Sequence, residues 1–339
     1  MKKIHKTRLL LSSILVICLI AISVRLIHRS ASSDDHVSVY MGMADSITKI
    51  VNDYPGEIGV AVIINNTDTI TVNNENIYPM MSVFKTHQAL AVCNDFDNKG
   101  ISLDSLMIIQ REELDANTWS PMLKEHPEDV ISLPVRDLLR YALSQSDNNA
   151  SNLMFKKLVD VAATDSFMAT IIPRSSFKIA YTEEEMSADH DKAYANSTSP
   201  LGVAILINRL FTDSLVSHEK QSFITATLKE CVTGVDRISA PLLDKAGVTI
   251  GHKTGSGYTN EHGVLAAHND VAYISLPDNT CYSLAVFVMK TSKEMNQKLQ
   301  RQSHAYQQRS THYWNSREII NNHWMKVEWN LFTRLFLLM

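Results

Sequence analysis

The chain has 339 residues, of which 45% are hydrophobic and 20% charged, and its formal net charge is −4 at pH 7. This is the composition of an ordinary globular protein with a sizeable core, arranged as one large domain or two interleaved ones. It excludes a low-complexity chain, and no internal repeat is visible.

The first segment, residues 1–33, has the features of a targeting sequence. Four basic residues precede an apolar run over residues 9–24, which predicts an export signal and a periplasmic location. The alternative is a permanent N-terminal membrane anchor, because no clear small-x-small cleavage site follows the run. The four basic residues are Lys2, Lys3, Lys6 and Arg8.

The rest of the chain begins and ends with strands. DDHVSVYMGMADSITKIVNDYPG has helical periodicity, and EIGVAVIIN and TITVNN then read as the two strands of a hairpin. From Met80 to about Cys231 the pattern is mostly helical, with Gly100 as a predicted C-cap. Three further strands are predicted late in the chain, in GVTIGHKTG, DVAYISL and CYSLAVFV.

Strands at both ends of a helical middle predict an α/β fold of the α+β kind. Its antiparallel five-stranded sheet would be built from both ends of the chain and flanked by helices. We expect an α/β domain in two segments, 34–80 and 232–288, and an inserted all-helical domain over 81–231. The active site is expected between the two domains.

A Ser-x-x-Lys spacing is the first candidate for catalysis, because it places a hydroxyl and an amine on one helical face. Two of four such pairs lie upstream of both Ser146-Asp147-Asn148 and Lys253-Thr254-Gly255, and of these only Ser82/Lys85 is at a predicted helix start directly after the first hairpin. The other three pairs are Ser46/Lys49, Ser175/Lys178 and Ser217/Lys220. Each element alone is common, but the three in this order match the set known from class A β-lactamases and penicillin-binding proteins.

Residue chemistry suggests how the first two elements would work. A serine hydroxyl is a weak nucleophile until a base takes its proton, and Lys85 is the predicted base for Ser82. The Ser146 hydroxyl would relay a proton to the leaving nitrogen. The Asn148 amide would orient Lys85 and an amide side chain of the substrate.

The third element is predicted to bind substrate. Lys253 would supply positive charge for a carboxylate, Thr254 a hydroxyl donor, and Gly255 a close approach to the strand backbone. The backbone N–H groups of Ser82 and Ser256 would form an oxyanion hole. The structural alternatives for the three elements are a helix cap, a turn and an edge strand.

From about Ser46 to Val288 the chain resembles class A serine β-lactamases, and within them the CfxA-type cephalosporinases of the Bacteroides group. The resemblance rests on PMMSVFK, on residues 143–155 and on HKTGSGY. It places Trp119 where the family has an aromatic residue at the mouth of the site, although a packing role is an equal alternative. It also places His262, which we expect to be a surface residue, where many members have a carboxylate-binding arginine.

The resemblance further implies a loop glutamate that activates the deacylating water. YTEEEMSADH offers Glu183, Glu184 and Glu185. Counting back from Thr198-Ser199-Pro200, which resembles the end of that loop, selects Glu183. At a position where the family often has an asparagine that also holds the water, this chain has Ser187.

These features together predict a serine hydrolase that opens β-lactam rings, mainly of cephalosporins, through an acyl-enzyme. The alternatives are a penicillin-binding D-Ala-D-Ala peptidase, and a covalent β-lactam sensor or inactive remnant that does not turn over. We expect a small-molecule substrate, a monomer, no cofactor, no nucleic acid, and membrane contact only through an uncleaved N-terminus. Neither the thirteen histidines nor the cysteines show a metal-binding spacing or a disulfide framework.

The tail over residues 289–339 differs from the rest of the chain. It carries eight Lys/Arg against three Asp/Glu and three of the four Trp residues. It lacks the amphipathic stripe expected of a terminal helix, and we interpret it as the product of a one-base frameshift. Read one base earlier, permitted codons for residues 290–314 give a sequence that resembles the family's terminal helix.

Overall fold

The computed structural model describes residues 42–54, 56–240, 242–243 and 245–292. The predicted export signal and nearly all of the predicted frameshifted tail lie outside these residues. In the described part of the chain, no helix combines the length and the apolar character needed to cross a membrane.

The secondary structure follows the predicted order. The first helix, α1, covers residues 42–53. The other helices are α2 (Phe84–Lys99), α3 (Pro121–Glu125), α4 (Val135–Ser144), α5 (Asn148–Lys157), α6 (Val161–Met168), α7 (Glu183–Ala188), α8 (Pro200–Thr212) and α9 (His218–Lys229). The strands are β1 (Glu57–Ile64), β2 (Asp68–Val72), β3 (Tyr78–Pro79), β4 (Leu106–Gln110), β5 (Val130–Pro134), β6 (Phe177–Lys178), β7 (Ser197–Thr198), β8 (Thr249–Ser256), β9 (Val264–Leu265), β10 (His268–Ser275), β11 (Cys281–Met289) and β12 (Thr291–Ser292).

The principal sheet has five antiparallel strands in the order β2-β1-β11-β10-β8. β1 pairs with β11 from Glu57 opposite Met289 to Ile64 opposite Tyr282, so the two ends of the described chain meet at the centre of the sheet. The predicted fold, an antiparallel five-stranded sheet flanked by helices, is confirmed.

Both faces of the sheet are buried, as the apolar run of β1 requires. On one face, Val60 and Val62 pack in a cluster with Ile47 of α1. On the other, Ala61 and Ile63 join the large core that continues into the helical block, and α8 packs across β1 and β11 on that side. The sheet therefore has one face toward α1 and one toward the helices that carry the site.

The helical block departs from the sequence prediction in two places. It contains the antiparallel strand pair β4–β5 as well as helices, and its strands β6 and β7 form a small sheet with β3. The helical pattern that follows Asn148 forms two helices, because Asp160 caps the start of α6 by accepting the Ala163 N–H. The Gly100 C-cap forms as predicted, with φ 64° in the left-handed region.

Candidate active site

Ser82 lies in a 3₁₀ turn, Met81–Val83, that leads directly into α2. Met81 has φ 46°, a conformation that non-glycine residues adopt rarely. The buried Asn269 of β10 holds the preceding backbone, since its Nδ2 donates to Pro79 O at 2.8 Å and Met80 O at 3.3 Å. The sheet thus fixes the position of the candidate nucleophile.

One carboxylate oxygen connects Ser82 to Lys85. The Ser82 hydroxyl donates to Glu183 Oε1 at 2.9 Å, and Lys85 Nζ lies 2.9 Å from the same oxygen. The Lys85 side chain is fully buried, and its ammonium also donates to Asn148 Oδ1 at 2.6 Å and to Ser146 O at 2.8 Å. A buried ammonium with three oxygen acceptors is well compensated for its loss of water.

The loop between α4 and α5 supplies the second element. Ser146 has φ 59°, a backbone conformation that is strained for a residue with a Cβ. Asp147 is fully buried. It caps α5 by accepting the Ala150 N–H, and its other oxygen accepts the Met122 N–H of α3. Burial raises the pKa of the Asp147 carboxyl above its ordinary value, although these hydrogen bonds oppose the shift. The capped helix orients Asn148 toward Lys85.

The third element lies on β8, opposite the first two. Lys253 is fully buried, and its Nζ donates to Ser146 Oγ at 3.0 Å. Burial, with a further contribution from the charge of Lys85, lowers the pKa of Lys253 to about 7. The Ser146 hydroxyl therefore lies beside the Lys253 amine, which changes its protonation state near pH 7.

Gly255 allows β8 to approach the nucleophile segment. A Cβ at this position would lie 2.3 Å from Met80 O, a distance at which the backbone must move. No side chain fits between the strand and the turn that carries Ser82. This close approach is a physical reason for glycine at Gly255.

Arg237 is a site residue that sequence reasoning missed. Its guanidinium is buried, and it donates to Ser256 Oγ at 2.6 Å and to Asn269 O at 2.6 Å. Burial lowers the pKa of Arg237, and the charge of Asp270 opposes that shift. No local motif surrounds this arginine, so only its three-dimensional position reveals a second cation at the end of β8.

Thr254 and Trp119 lie at the edges of the site. The Thr254 hydroxyl is 2.6 Å from the hydroxyl of Thr233. Trp119 is 55% exposed, and its indole Nε1 donates to the carbonyl of Gln145, the residue before Ser146. The structure thus connects Trp119 to the loop of the second element through Gln145, without placing it against the catalytic groups.

The loop before α8 presents one of its three glutamates to the site. Glu184 and Glu185 are exposed, and the Glu185 carboxylate accepts the Thr182 N–H in a capping box. The loop is held by the fully buried Asn196, whose Oδ1 accepts from the N–H groups of Ala180 and Tyr181. Asn196 is a second residue that the sequence did not single out.

The two remaining candidate positions lie at the surface. The His262 side chain is 77% exposed and lies 3.5 Å from Glu261, and Ser187 is exposed. Within the described residues, no three His, Cys, Asp or Glu side chains are grouped so that they could hold a metal ion.

The structure thus brings six predicted polar residues into one contact network, and the substrate-binding candidates continue along β8. The six are Ser82, Lys85, Ser146, Asn148, Glu183 and Lys253. A serine hydroxyl, a carboxylate, two lysine amines and a second hydroxyl in contact are the groups that a serine hydrolase acting through an acyl-enzyme requires.

Comparison with known proteins identifies the family. Residues 42–311 match the model of the β-lactamase enzyme family, and the chain belongs to that family. A β-lactamase of Phocaeicola vulgatus is 67% identical over 289 residues, which cover 85% of this chain and 90% of that protein. The extended-spectrum β-lactamase PER-1 of Pseudomonas aeruginosa is 31% identical over 74% of this chain and 80% of its own length.

Solved structures agree with this assignment. A class A β-lactamase from Bacteroides cellulosilyticus has a TM-score of 0.70 and 31% identity, covering 75% of this chain and 90% of that one. The TLA-3 extended-spectrum β-lactamase has a TM-score of 0.71, also at 31% identity, over 74% of this chain and 91% of that one. The expected relation to class A serine β-lactamases of the Bacteroides group is therefore confirmed.

Proposed function

We propose that this serine β-lactamase acts through Ser82, with Glu183 as the base that allows turnover. The observation that carries this proposal is the shared position of Glu183 Oε1, 2.9 Å from both Ser82 Oγ and Lys85 Nζ. A carboxylate in contact with the nucleophile can accept a proton from it, and later from a water that takes the position of the leaving group. The penicillin-binding peptidases of the alternative reading lack this glutamate.

In the proposed first step, Ser82 Oγ bonds to the β-lactam carbonyl carbon, and its proton passes to the Glu183–Lys85 pair. The carbon–nitrogen bond of the ring breaks, and the nitrogen takes the proton of the Ser146 hydroxyl, which contacts Lys253. The Glu183–Lys85 pair passes the proton taken from Ser82 to Ser146, so Glu183 is again free to act as a base. The backbone N–H groups of Ser82 and Ser256 stabilise the oxyanion. In the second step, Glu183 deprotonates water, which attacks the ester carbonyl carbon. The bond from that carbon to Ser82 Oγ breaks, and Ser82 Oγ takes the proton back from Glu183.

We assign the substrate carboxylate to the end of β8. Lys253, Thr254 and Ser256 were predicted to bind it, and Arg237 now joins them through its contact with Ser256 Oγ. A guanidinium is a strong partner for a carboxylate because it offers paired N–H donors. Asn148 lies where it can bind the acyl-amide of the substrate. Trp119 lies where it can border the mouth of the active site.

The family resemblance supports cephalosporins as the preferred substrates, and the N-terminal sequence supports a periplasmic location. We propose further that the protein is a monomer. Time courses with a chromogenic cephalosporin and a penicillin test the reaction. We expect sustained hydrolysis of both, with the higher kcat/KM for the cephalosporin. A stoichiometric burst without turnover would instead identify a covalent sensor. Cell fractionation and light scattering test location and assembly.

A further inference from the structure

A second group of reactive side chains lies behind the serine site. The thiol of Cys231, which is only partly buried, lies 3.4 Å from the Thr233 hydroxyl and interacts with the neighbouring side chain of His252. On its other side, His252 Nδ1 lies 3.1 Å from Asp270 Oδ1 and 3.3 Å from Oδ2. His252 and Asp270 are almost fully buried. A thiol, an imidazole and a carboxylate in this order are the arrangement that activates a cysteine.

Charge in this cluster favours the thiolate. Burial raises the pKa of Cys231, but the hydrogen bond from His252 and the charges of His252 and Lys253 outweigh it, so the pKa lies below its ordinary value. Burial lowers the pKa of His252, but the charge and hydrogen bond of Asp270 outweigh it and raise it to about 10. The other charged groups that face the cluster are Arg237 and, through Arg237, Asp236.

The cluster is connected to the substrate-binding strand. Cys231 Sγ lies 3.4 Å from the Thr233 hydroxyl, which is 2.6 Å from the Thr254 hydroxyl. The backbone N–H of Val232 donates to Ser144 O at 3.0 Å, close to the loop of the second catalytic element. A group added to this thiol must therefore displace Thr233 or the backbone beside it.

We propose that Cys231, His252 and Asp270 form a thiol-modification site whose ligands are low-molecular-weight disulfides and related sulfur electrophiles. The Cys231 thiolate attacks one sulfur of the disulfide, a new S–S bond forms, and the original S–S bond breaks. The leaving thiolate takes a proton from solvent, and a free thiol reverses the reaction. Modification displaces Thr233 from Thr254 and weakens β-lactam binding, a consequence that rests on the proposed role of Thr254.

The other described cysteines provide internal controls. Cys93 is fully buried, and burial raises the pKa of its thiol to about 12. Cys281 is partly exposed at the far end of β11, where its sulfur contacts Ser275 Oγ and Asn279 O. Cys281 is therefore the matched control for Cys231, because both are partly exposed but the sulfur of Cys281 contacts only neutral oxygen atoms.

The full chain is treated with methyl methanethiosulfonate or oxidised glutathione, and each cysteine is followed by peptide mass spectrometry. At pH 7 we expect Cys231 to react roughly tenfold faster than Cys281, as thiolate character dictates. The Cys231 rate should rise less steeply between pH 6 and 8 than that of an ordinary thiol, which gains about tenfold per pH unit, because the Cys231 pKa is lowered. Equal rates at the two residues, or an ordinary pH profile at Cys231, overturn the proposal.

Two variants test the coupling to hydrolysis. Cys231→Ser should hydrolyse β-lactams as fast as the untreated protein and should not be inhibited by oxidised glutathione. Cys281→Ser should be inhibited by oxidised glutathione like the unaltered protein, and dithiothreitol should restore its activity. Fast modification of Cys231 without a rise in KM overturns the coupling to Thr254. His252→Gln should slow Cys231 modification about tenfold; should that variant not fold, the pH profile of the unaltered protein decides the same question.

Discussion

At the scale of single residues, Ser82 differs from the other serines by its contacts. The chain has three further Ser-x-x-Lys pairs. Among the serines of the four pairs, all of which the structure describes, only Ser82 donates its hydroxyl to a carboxylate that also binds a buried lysine. We expect Ser82→Ala to lose covalent labelling by a fluorescent penicillin and to lower kcat by roughly 10⁴-fold or more. Ser175→Ala, which alters an exposed serine of another pair, is the control and should label normally.

Glu183 separates acylation from deacylation. In Glu183→Gln, Lys85 loses its ion-pair partner and remains as a base for Ser82, whereas the attacking water has no base in contact. We therefore expect the acyl-enzyme to accumulate and to be visible by intact-protein mass spectrometry. Glu184→Gln alters an exposed neighbour and should turn over normally. Accumulation in Glu184→Gln alone would show that the loop register is displaced by one residue.

Lys253 predicts a pH dependence of substrate binding. Its pKa is lowered to about 7, first by burial, so the ammonium that attracts a carboxylate is present below pH 7 and is lost above it. We expect KM for a carboxylate-bearing β-lactam to rise roughly tenfold between pH 6 and pH 8, with kcat/KM falling in parallel. Lys253→Arg keeps its charge over this range, so its KM should not change between pH 6 and pH 8. If the KM of the unaltered protein is also constant over this range, the assignment of Lys253 to the carboxylate is wrong.

The residues that sequence reasoning identified belong to short motifs whose chemistry is visible in consecutive letters. Arg237 and the Cys231–His252–Asp270 cluster are different, because their partners are separated by many residues and meet only through the pairing of β8 with β10. Arg237 reaches Ser256 across a loop that carries no motif. Such contacts depend on strand register, which a single sequence does not specify.

At the scale of elements, the loop from Pro173 to Ser199 positions Glu183 through one buried amide. Asn196 binds the backbone of Ala180 and Tyr181 with three hydrogen bonds of 2.7 to 2.9 Å. We expect Asn196→Ala to lower the free energy of unfolding by about 2 kcal/mol or more, because it leaves several backbone groups unpaired. The deacylation rate, measured by single-turnover kinetics, should fall more than the acylation rate.

The exposed Asn98 of α2 is the matched control for this change. Asn98→Ala should leave both rate constants unchanged and the stability within about 0.5 kcal/mol. Equal losses of acylation and deacylation in Asn196→Ala would show that the loop acts on Ser82 as much as on Glu183.

The elements that the sequence predicted well are the long ones with a clear period, such as α2 and β11. The short strands β4 and β5 were not predicted, because only five residues each form the strand pair within a region of helical pattern. The division between α5 and α6 was also missed, since apolar spacing continues through Leu158 and Val159 while the Asp160 cap restarts the helix.

At the scale of the whole molecule, one face of the principal sheet packs on α1 and the other packs on the helices that carry the candidate active site. Val62 is fully buried on the face toward α1, away from the face that packs on the helical block. We expect Val62→Ala to lower the free energy of unfolding by about 2 to 3 kcal/mol, because it leaves a cavity in this cluster. Denaturant unfolding and kcat/KM per folded molecule are the measurements, and kcat/KM should not change.

Thr71→Ala is the control on the neighbouring strand, where the side chain is exposed. Its stability should stay within about 0.5 kcal/mol of the unaltered protein. A loss of kcat/KM in Val62→Ala that matches its loss of stability would show that the two faces are not independent.

The position of β1 between β2 and β11 also determines when the protein can become an enzyme. During synthesis, β1 and β2 emerge early, but one edge of β1 has no partner until residues 281–289 follow. Such distant pairing closes a long loop and makes folding slow. The nascent chain thus holds Ser82 long before it holds β10, whose Asn269 fixes the backbone before Ser82. We therefore expect activity only after the last strand of the sheet is made.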